Sequence, residues 1–280
     1  MTTGLGAGLL AATLFGLGAV IQAHAVRRHG GAEHDLLSFV RRSLRDPRMW
    51  FVGVLYLVGF SMHVVAIRLL PLYLAQAAVA VSLVVTVAAA TVLGERLGAA
   101  AWLAIGVVAT GLVLLALGAG DAGPSITSAR FVVILWAGVL ALLLLGGLLR
   151  HGSAAVLGAL AGLGYAGIAI SVRSVEGSAP LPAVAGALAL CCFGVVSFWL
   201  YSTALSRATV SSVTAPLIVG QTCTPAVVGL LALGDHVRSG WWPGIVIGLV
   251  LATAGAVALG RDEHAPIEPA ETVEPPVQAS

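Results

Sequence analysis

The feature that most constrains this chain is a succession of apolar runs, each about as long as a bilayer core is thick. A membrane-spanning helix needs about 20 consecutive apolar residues. Nine stretches meet that need: 4–26, 50–69, 71–93, 99–120, 130–149, 153–174, 183–205, 209–233 and 241–260. Only 9% of the 280 residues are charged, and mean hydropathy is +1.03. A soluble domain carries roughly 25% charged residues, so this chain has too few to cover a water-facing surface. The expected fold is all-α, a polytopic membrane helical bundle of about nine transmembrane helices.

The first run resembles a signal peptide only superficially. No basic residue precedes it, and Arg27 and Arg28 follow it, the flanks of a retained helix. Residues 32–46 place Leu36, Leu37, Val40 and Leu44 at helical spacing, with Arg41, Arg42 and Arg45 on the other side. This predicts an amphipathic helix in the headgroup region. The Pro- and Glu-rich tail 261–280 cannot build a core and is expected to be disordered.

All 14 basic residues are Arg. With the N-terminus outside, Arg27, Arg28, Arg41, Arg42, Arg45, Arg48, Arg96, Arg150, Arg207 and Arg261 are cytoplasmic, and Arg68, Arg130, Arg173 and Arg238 are not. The bias predicts N-out, C-in. Trp50, Trp102, Trp241 and Trp242 then fall at interfaces. The Lys-free, Ala/Gly/Arg-rich composition suggests a bacterial gene and hence a bacterial cytoplasmic membrane.

The second half echoes the first. At an offset of 146, Leu14, Gly16, Leu17, Gly18, Ala23, Val26 and Arg27 meet identical residues. At an offset of 140, Leu93-Gly94-Glu95-Arg96 meets Leu233-Gly234-Asp235-His236, and Trp102 meets Trp242. The expected organisation is a first repeat at 1–120, a linker helix at 121–150, a second repeat at 151–260, and the tail. An offset of five spans is odd, so the two four-helix repeats enter the membrane from opposite sides, a transporter signature.

The stretch Ala66-Ile67-Arg68-Leu69-Leu70-Pro71, followed by a small-residue helix ending Leu93-Gly94-Glu95-Arg96-Leu97, resembles the drug/metabolite transporter superfamily with its EamA-like repeats. The second copy departs from that pattern, with Gly234-Asp235-His236-Val237 and with Thr209-Val210-Ser211 in place of Leu-Pro. The family's usual ten helices are nine here, a layout more similar to the NIPA-like branch. The resemblance implies a secondary transporter exporting a small metabolite or drug-like molecule. The NIPA-like layout implies magnesium or another divalent cation as an alternative cargo, and a non-transporting membrane scaffold or accessory subunit is a third reading.

All 12 acidic residues fall outside the apolar runs. A dehydrated Mg²⁺ site wants carboxylates, so the cation reading is weakened. The three cysteines, Cys191, Cys192 and Cys223, read as small buried apolar residues, and no metal site or cofactor is expected. Paired catalytic groups are absent from the runs, so no enzyme is expected. Polar residues in the runs supply the substrate-binding candidates: Gln22, His63, Gln76, Tyr165, Tyr201, Pro216, Gln221 and Thr222. His63 titrates near neutrality in principle and suits proton coupling. Pro216 and Pro225 break backbone bonding, tolerated in lipid where a helix is buried or lines a cavity. Gly4-x3-Gly8, Gly158-x3-Gly162 and Gly244-x3-Gly248 suit close helix packing within the monomer or a homodimer face. The expected partners are the lipid bilayer and a small-molecule substrate, with no nucleic acid.

Overall fold

The computed structural model describes residues 2–28, 36–69, 72–92, 94, 97–118, 120, 128–175, 180–232 and 236–261. Among them the chain forms α1 (Thr2–Arg28), α2 (Leu36–Ser43), α3 (Pro47–Leu69), α4 (Leu72–Val92), α5 (Ala99–Gly118), α6 (Ala129–Leu148), α7 (Ala154–Val175), α8 (Pro180–Leu205), α9 (Val210–Ala232) and α10 (Trp242–Arg261). Seven of these, α1, α3, α5, α6, α7, α8 and α10, are long and apolar enough in their described residues to cross a membrane. The protein is a multi-pass helical membrane bundle.

Its burial pattern suits a lipid solvent. Large apolar side chains such as Leu57, Leu103, Val133 and Val250 point outward, while Gln22, Ser82, Thr86, Ser171, Ser197, Ser202, Ser211 and Thr214 are buried. Several hydroxyls inside helices are satisfied on the preceding turn: Thr86 donates to the Ser82 carbonyl (2.8 Å), Ser171 to Gly167 (2.7 Å) and Ser197 to Phe193 (2.6 Å). Among the described residues no helix contains an Asp or Glu.

Helix starts follow local rules. Asp46 caps α3, its carboxylate accepting from the Arg48 N–H at 2.8 Å with Pro47 in the first helical position. Ser128 and Ser153 cap α6 and α7 in the same manner. At the end of α4, Gly94 adopts φ +99°, the left-handed stop that glycine accepts without strain.

Packing is organised around α1 and α7. α1 packs most extensively on α3 and α4, and α7 on α8 and α9; α4 leans on α5 as α9 leans on α10. The two groups join mainly through α5 and α10. That pair is antiparallel: Gly111 meets Gly248 and Ala252, Gly118 meets Ile245, and Gly255 meets Ala104 and Val108. The backbones approach so closely that a Cβ on Gly111 would stand 2.5 Å from the Ala252 nitrogen. α1 and α7 are antiparallel as well. Arg27, at the end of α1, donates to the Leu205 and Ala208 carbonyls (3.0 and 2.6 Å), and Arg207 reaches the Gly152 carbonyl just before α7 at 3.5 Å. One end of the bundle therefore gathers the end of α1, α2, the start of α3, the start of α7, the end of α8 and the start of α9.

Four of the six paired glycines pack against another helix of the same chain. Gly8 packs on Ala78, Gly158 and Gly162 lie against the α9 backbone at Val213 and Leu217, and Gly248 lies against Gly111. Two expectations need correction. The apolar stripe of 32–46 divides: Leu36 and Val40 turn inward beside Phe39, whereas Leu37 and Leu44 point outward among the arginines. The reason is that Phe39 supplies the largest apolar anchor and sets which face docks. Cys191 is exposed rather than buried, on a part of α8 whose neighbours include exposed Leu188 and Val195; Cys192 is half-buried and Cys223 buried. The tail from 262, Glu95, Arg96 and Asp235 lie outside the described residues.

Candidate functional site

Gln22 lies six residues before the end of α1 and is fully buried. An amide in an apolar bundle must find partners, since an unpaired one costs about 1–3 kcal/mol. Both of its ends do. Its Nε2 donates to the Ser202 hydroxyl of α8 at 2.7 Å, and its Oε1 accepts from the Tyr56 hydroxyl of α3 at 2.7 Å. These two bonds fix the amide orientation and tie three helices together.

Around this amide the aromatic residues gather. Tyr56 packs edge-on to Phe198 (6.2 Å) and tilted against Phe15 (6.2 Å). Tyr201 and Tyr165 lie near the Tyr56 hydroxyl. Tyr201 is buried, and its hydroxyl shares a 2.7 Å hydrogen bond with Thr214 of α9. The result is a cluster of Gln22, Tyr56, Tyr165, Tyr201, Ser202 and Thr214, contributed by α1, α3, α7, α8 and α9. All of its members are neutral hydrogen-bonding groups.

At 1.5 Å per residue, Gln22 lies about 9 Å from the end of α1, and Tyr201 and Thr214 about 6 Å from their helix ends. The cluster thus sits toward the Arg27 end of the bundle rather than midway along it. That end is closed above it by the Arg27 guanidinium on the carbonyls of Leu205, the last residue of α8, and of Ala208 in the link to α9. A carbonyl at a helix C-terminus lacks a partner within its own helix and carries partial negative charge, which a cation satisfies.

Two more candidates line up with this cluster. His63 is seven residues beyond Tyr56 on α3, and Gln221 is seven beyond Thr214 on α9. Seven residues are two turns, so each lies on its partner's face about 10 Å further along. α3 and α9 both run away from the Arg27 end, so His63 and Gln221 lie on the same side of the cluster. His63 is half-buried, and its Nδ1 is buried without a hydrogen-bond partner. Gln221 and Thr222 are half-buried, and Pro216 is buried within α9. α9 continues through Pro216 and Pro225, which lack the N–H groups that would bond the Ser212 and Gln221 carbonyls. The side chain of Gln76 lies outside the described residues.

Of the sequence candidates, the structure brings Gln22, Tyr165 and Tyr201 into one cluster. It places His63 and Gln221 in register with it and leaves Pro216 and Thr222 along α9. Sequence reasoning missed Tyr56, Ser202 and Thr214. The seven-residue spacings 56/63 and 214/221 were the available signal for Tyr56 and Thr214, because they put each on the face of a residue already chosen; Ser202 carried no such signal. Among the described residues no group of three His, Cys, Asp or Glu could hold a metal ion. No family model, no curated protein and no solved structure matches the chain.

Proposed function

We propose that this chain is a secondary transporter that moves a small, uncharged or drug-like molecule across a bacterial cytoplasmic membrane by alternating access, in the direction of export. The observation that carries the reading is the buried neutral polar cluster built from α1 and α3 on one side and α7, α8 and α9 on the other. Helical membrane proteins bury polar side chains at cost, and a cluster shared by two groups of helices is where a substrate would be held between them. We read the chain as nine spans, with α4 and α9 completing the seven that meet the length and apolarity standard. The N-terminus is outside, the C-terminus is cytoplasmic, and α2 is on the cytoplasmic face.

The antiparallel pairs α1/α7 and α5/α10, and the matching partners of α1 and α7, support an inverted repeat of α1, α3, α4 and α5 on α7, α8, α9 and α10. α6 is the spacer. In this reading the Arg27 and Gln22 contacts close the cytoplasmic side, and the route from the cluster past His63 and Gln221 leads outward. The resemblance to EamA-like repeats points the same way.

The substrate class follows from charge. A cation held at this cluster meets no carboxylate from any of the described helices, and an uncompensated charge in a low-dielectric site is expensive. Magnesium is accordingly the less favoured cargo. One observation favours a static scaffold: both ends of the Gln22 amide are satisfied within the protein.

Flux separates the readings. The purified full chain in liposomes is tested with nucleosides, neutral amino acids, cationic dyes and Mg²⁺, with and without a pH gradient. Saturable flux of a neutral solute, reduced at least tenfold by Gln22→Leu, is expected. Flux of Mg²⁺ alone favours the cation carrier, and no flux of any of them favours the scaffold.

A further inference from the structure

We propose that α2 and the first turn of α3 form a binding seat for the headgroups of anionic phospholipids. The inference stands apart from the transport reading and rests on one surface.

α2 is anchored from behind. Leu36 and Val40 pack on the core, Phe39 is buried, and its ring lies 5.9 Å from Phe198 of α8. This leaves the opposite face outward, with Leu37, Arg41 and Arg42 exposed. The connection to α3 continues that face with Leu44, Arg45, Arg48 and Trp50, all exposed. It is held in shape by local bonds: the Trp50 indole N–H donates to the Leu44 carbonyl at 3.0 Å, and the Arg48 N–H donates to the Asp46 carboxylate at 2.8 Å.

Two features of this surface point to a lipid headgroup. The first is charge. Four arginines, Arg41, Arg42, Arg45 and Arg48, are exposed on this surface, and the stretch 27–50 holds three carboxylates. Of those carboxylates Glu33 and Asp35 lie outside the described residues, and Asp46 is engaged in capping α3. Arginine presents a planar fork that matches phosphate oxygens two at a time. The second is the apolar side chains set among the arginines. Leu37 is 76% exposed, Leu44 60% and Trp50 58%. An aqueous phosphate ligand would leave all three in water. A phospholipid offers phosphate at the depth of the arginine heads and acyl carbons beneath it, where Leu37, Leu44 and the indole ring would be covered. Basic residues on an amphipathic helix beside a membrane span attract anionic lipid, each by about fivefold.

The test uses the full chain in detergent, with phosphatidylglycerol, phosphatidylcholine and free glycerophosphate as probes and native mass spectrometry as the readout. Wild-type protein is expected to retain phosphatidylglycerol at least tenfold over phosphatidylcholine. The preference should fall to near unity in R41Q/R42Q/R45Q, and raised salt should lower it progressively. R41K/R42K/R45K should keep most of it, which separates loss of charge from loss of fold. Equal retention of the two lipids by wild type overturns the proposal, as does an unchanged preference in the glutamine variant. Displacement of lipid by equimolar glycerophosphate overturns it too, because the seat would then take free phosphate.

Discussion

At the scale of single residues, the Gln22 amide decides how the cluster responds to change. Tyr56→Phe removes one donor and leaves Gln22 Oε1 buried without a partner. Hydrogen bonds between membrane helices average about 0.6 kcal/mol, because the alternative states also find partners. Orphaning a buried acceptor raises the cost toward 1–3 kcal/mol. Tyr56→Phe is therefore expected to destabilise by about 1 kcal/mol. Gln22→Leu/Tyr56→Phe should cost less than the sum of its parts, because the second change no longer orphans anything. Thermal unfolding of the four proteins in one detergent measures this cycle. Additive losses would mean that the two side chains are not bonded to each other. A second residue prediction concerns His63, two turns along α3 from Tyr56. If it relays protons, His63→Gln flattens the dependence of flux on pH between about 5 and 8, and glutamine keeps the hydrogen-bonding capacity. A pH profile identical to wild type would remove His63 from the coupling mechanism while leaving the cluster in place.

At the scale of helices, much was legible because lipid imposes one rule: twenty apolar residues read as a span. Each long helix lies on an apolar run, and the boundaries differ by a few residues where caps intervene. Asp46 with Pro47 moves the start of α3 ahead of its apolar stretch, and Pro180 does the same for α8. Which face of each helix turns inward was not legible. The spans have apolar residues on all sides, so periodicity does not distinguish lipid from neighbour. The buried face is instead marked by small residues and hydroxyls, such as Gly158 and Gly162 on α7. This explains why Tyr56, Ser202 and Thr214 escaped notice while Gln22 did not: tyrosine, serine and threonine are ordinary in such helices, and an amide is not.

The same logic gives a prediction. A side chain at Gly162 would run into the Leu217 carbonyl of α9, whereas one at Gly147 of α6 meets nothing within 4 Å. Gly162→Leu should destabilise by at least the 1–3 kcal/mol typical of overpacking, and Gly147→Leu should be near neutral. The folded fraction after mild heating, followed by size exclusion, checks both. Equal behaviour of the two variants would mean that α7 and α9 are not in backbone contact.

At the scale of the whole molecule, two polar tethers among the described residues join α1 to the α8–α9 side at one end of the bundle. The Gln22–Ser202 bond crosses from α1 to α8, and Arg27 crosses from α1 to the carbonyls at the end of α8 and the start of α9. Nothing in the sequence announced this closure, because Arg27 reads as one more interfacial arginine until the fold brings residue 205 beside it. If the halves rock to admit substrate from that end, these contacts must break in every cycle, and they are hydrogen bonds of ordinary length, the two from Arg27 charge-assisted. Holding them closed should then arrest transport without unfolding the protein. With Cys191, Cys192 and Cys223 replaced by alanine, Arg27→Cys and Ala208→Cys can be bridged by a short bifunctional thiol reagent. The bridged protein is expected to lose flux at least tenfold while keeping its thermal stability, and each single-cysteine protein treated alike should keep its flux. Undiminished flux in the bridged protein would show that this end does not open during transport. The route past His63 and Gln221 would then be the only moving part, and the antiparallel halves would be a rigid frame around it.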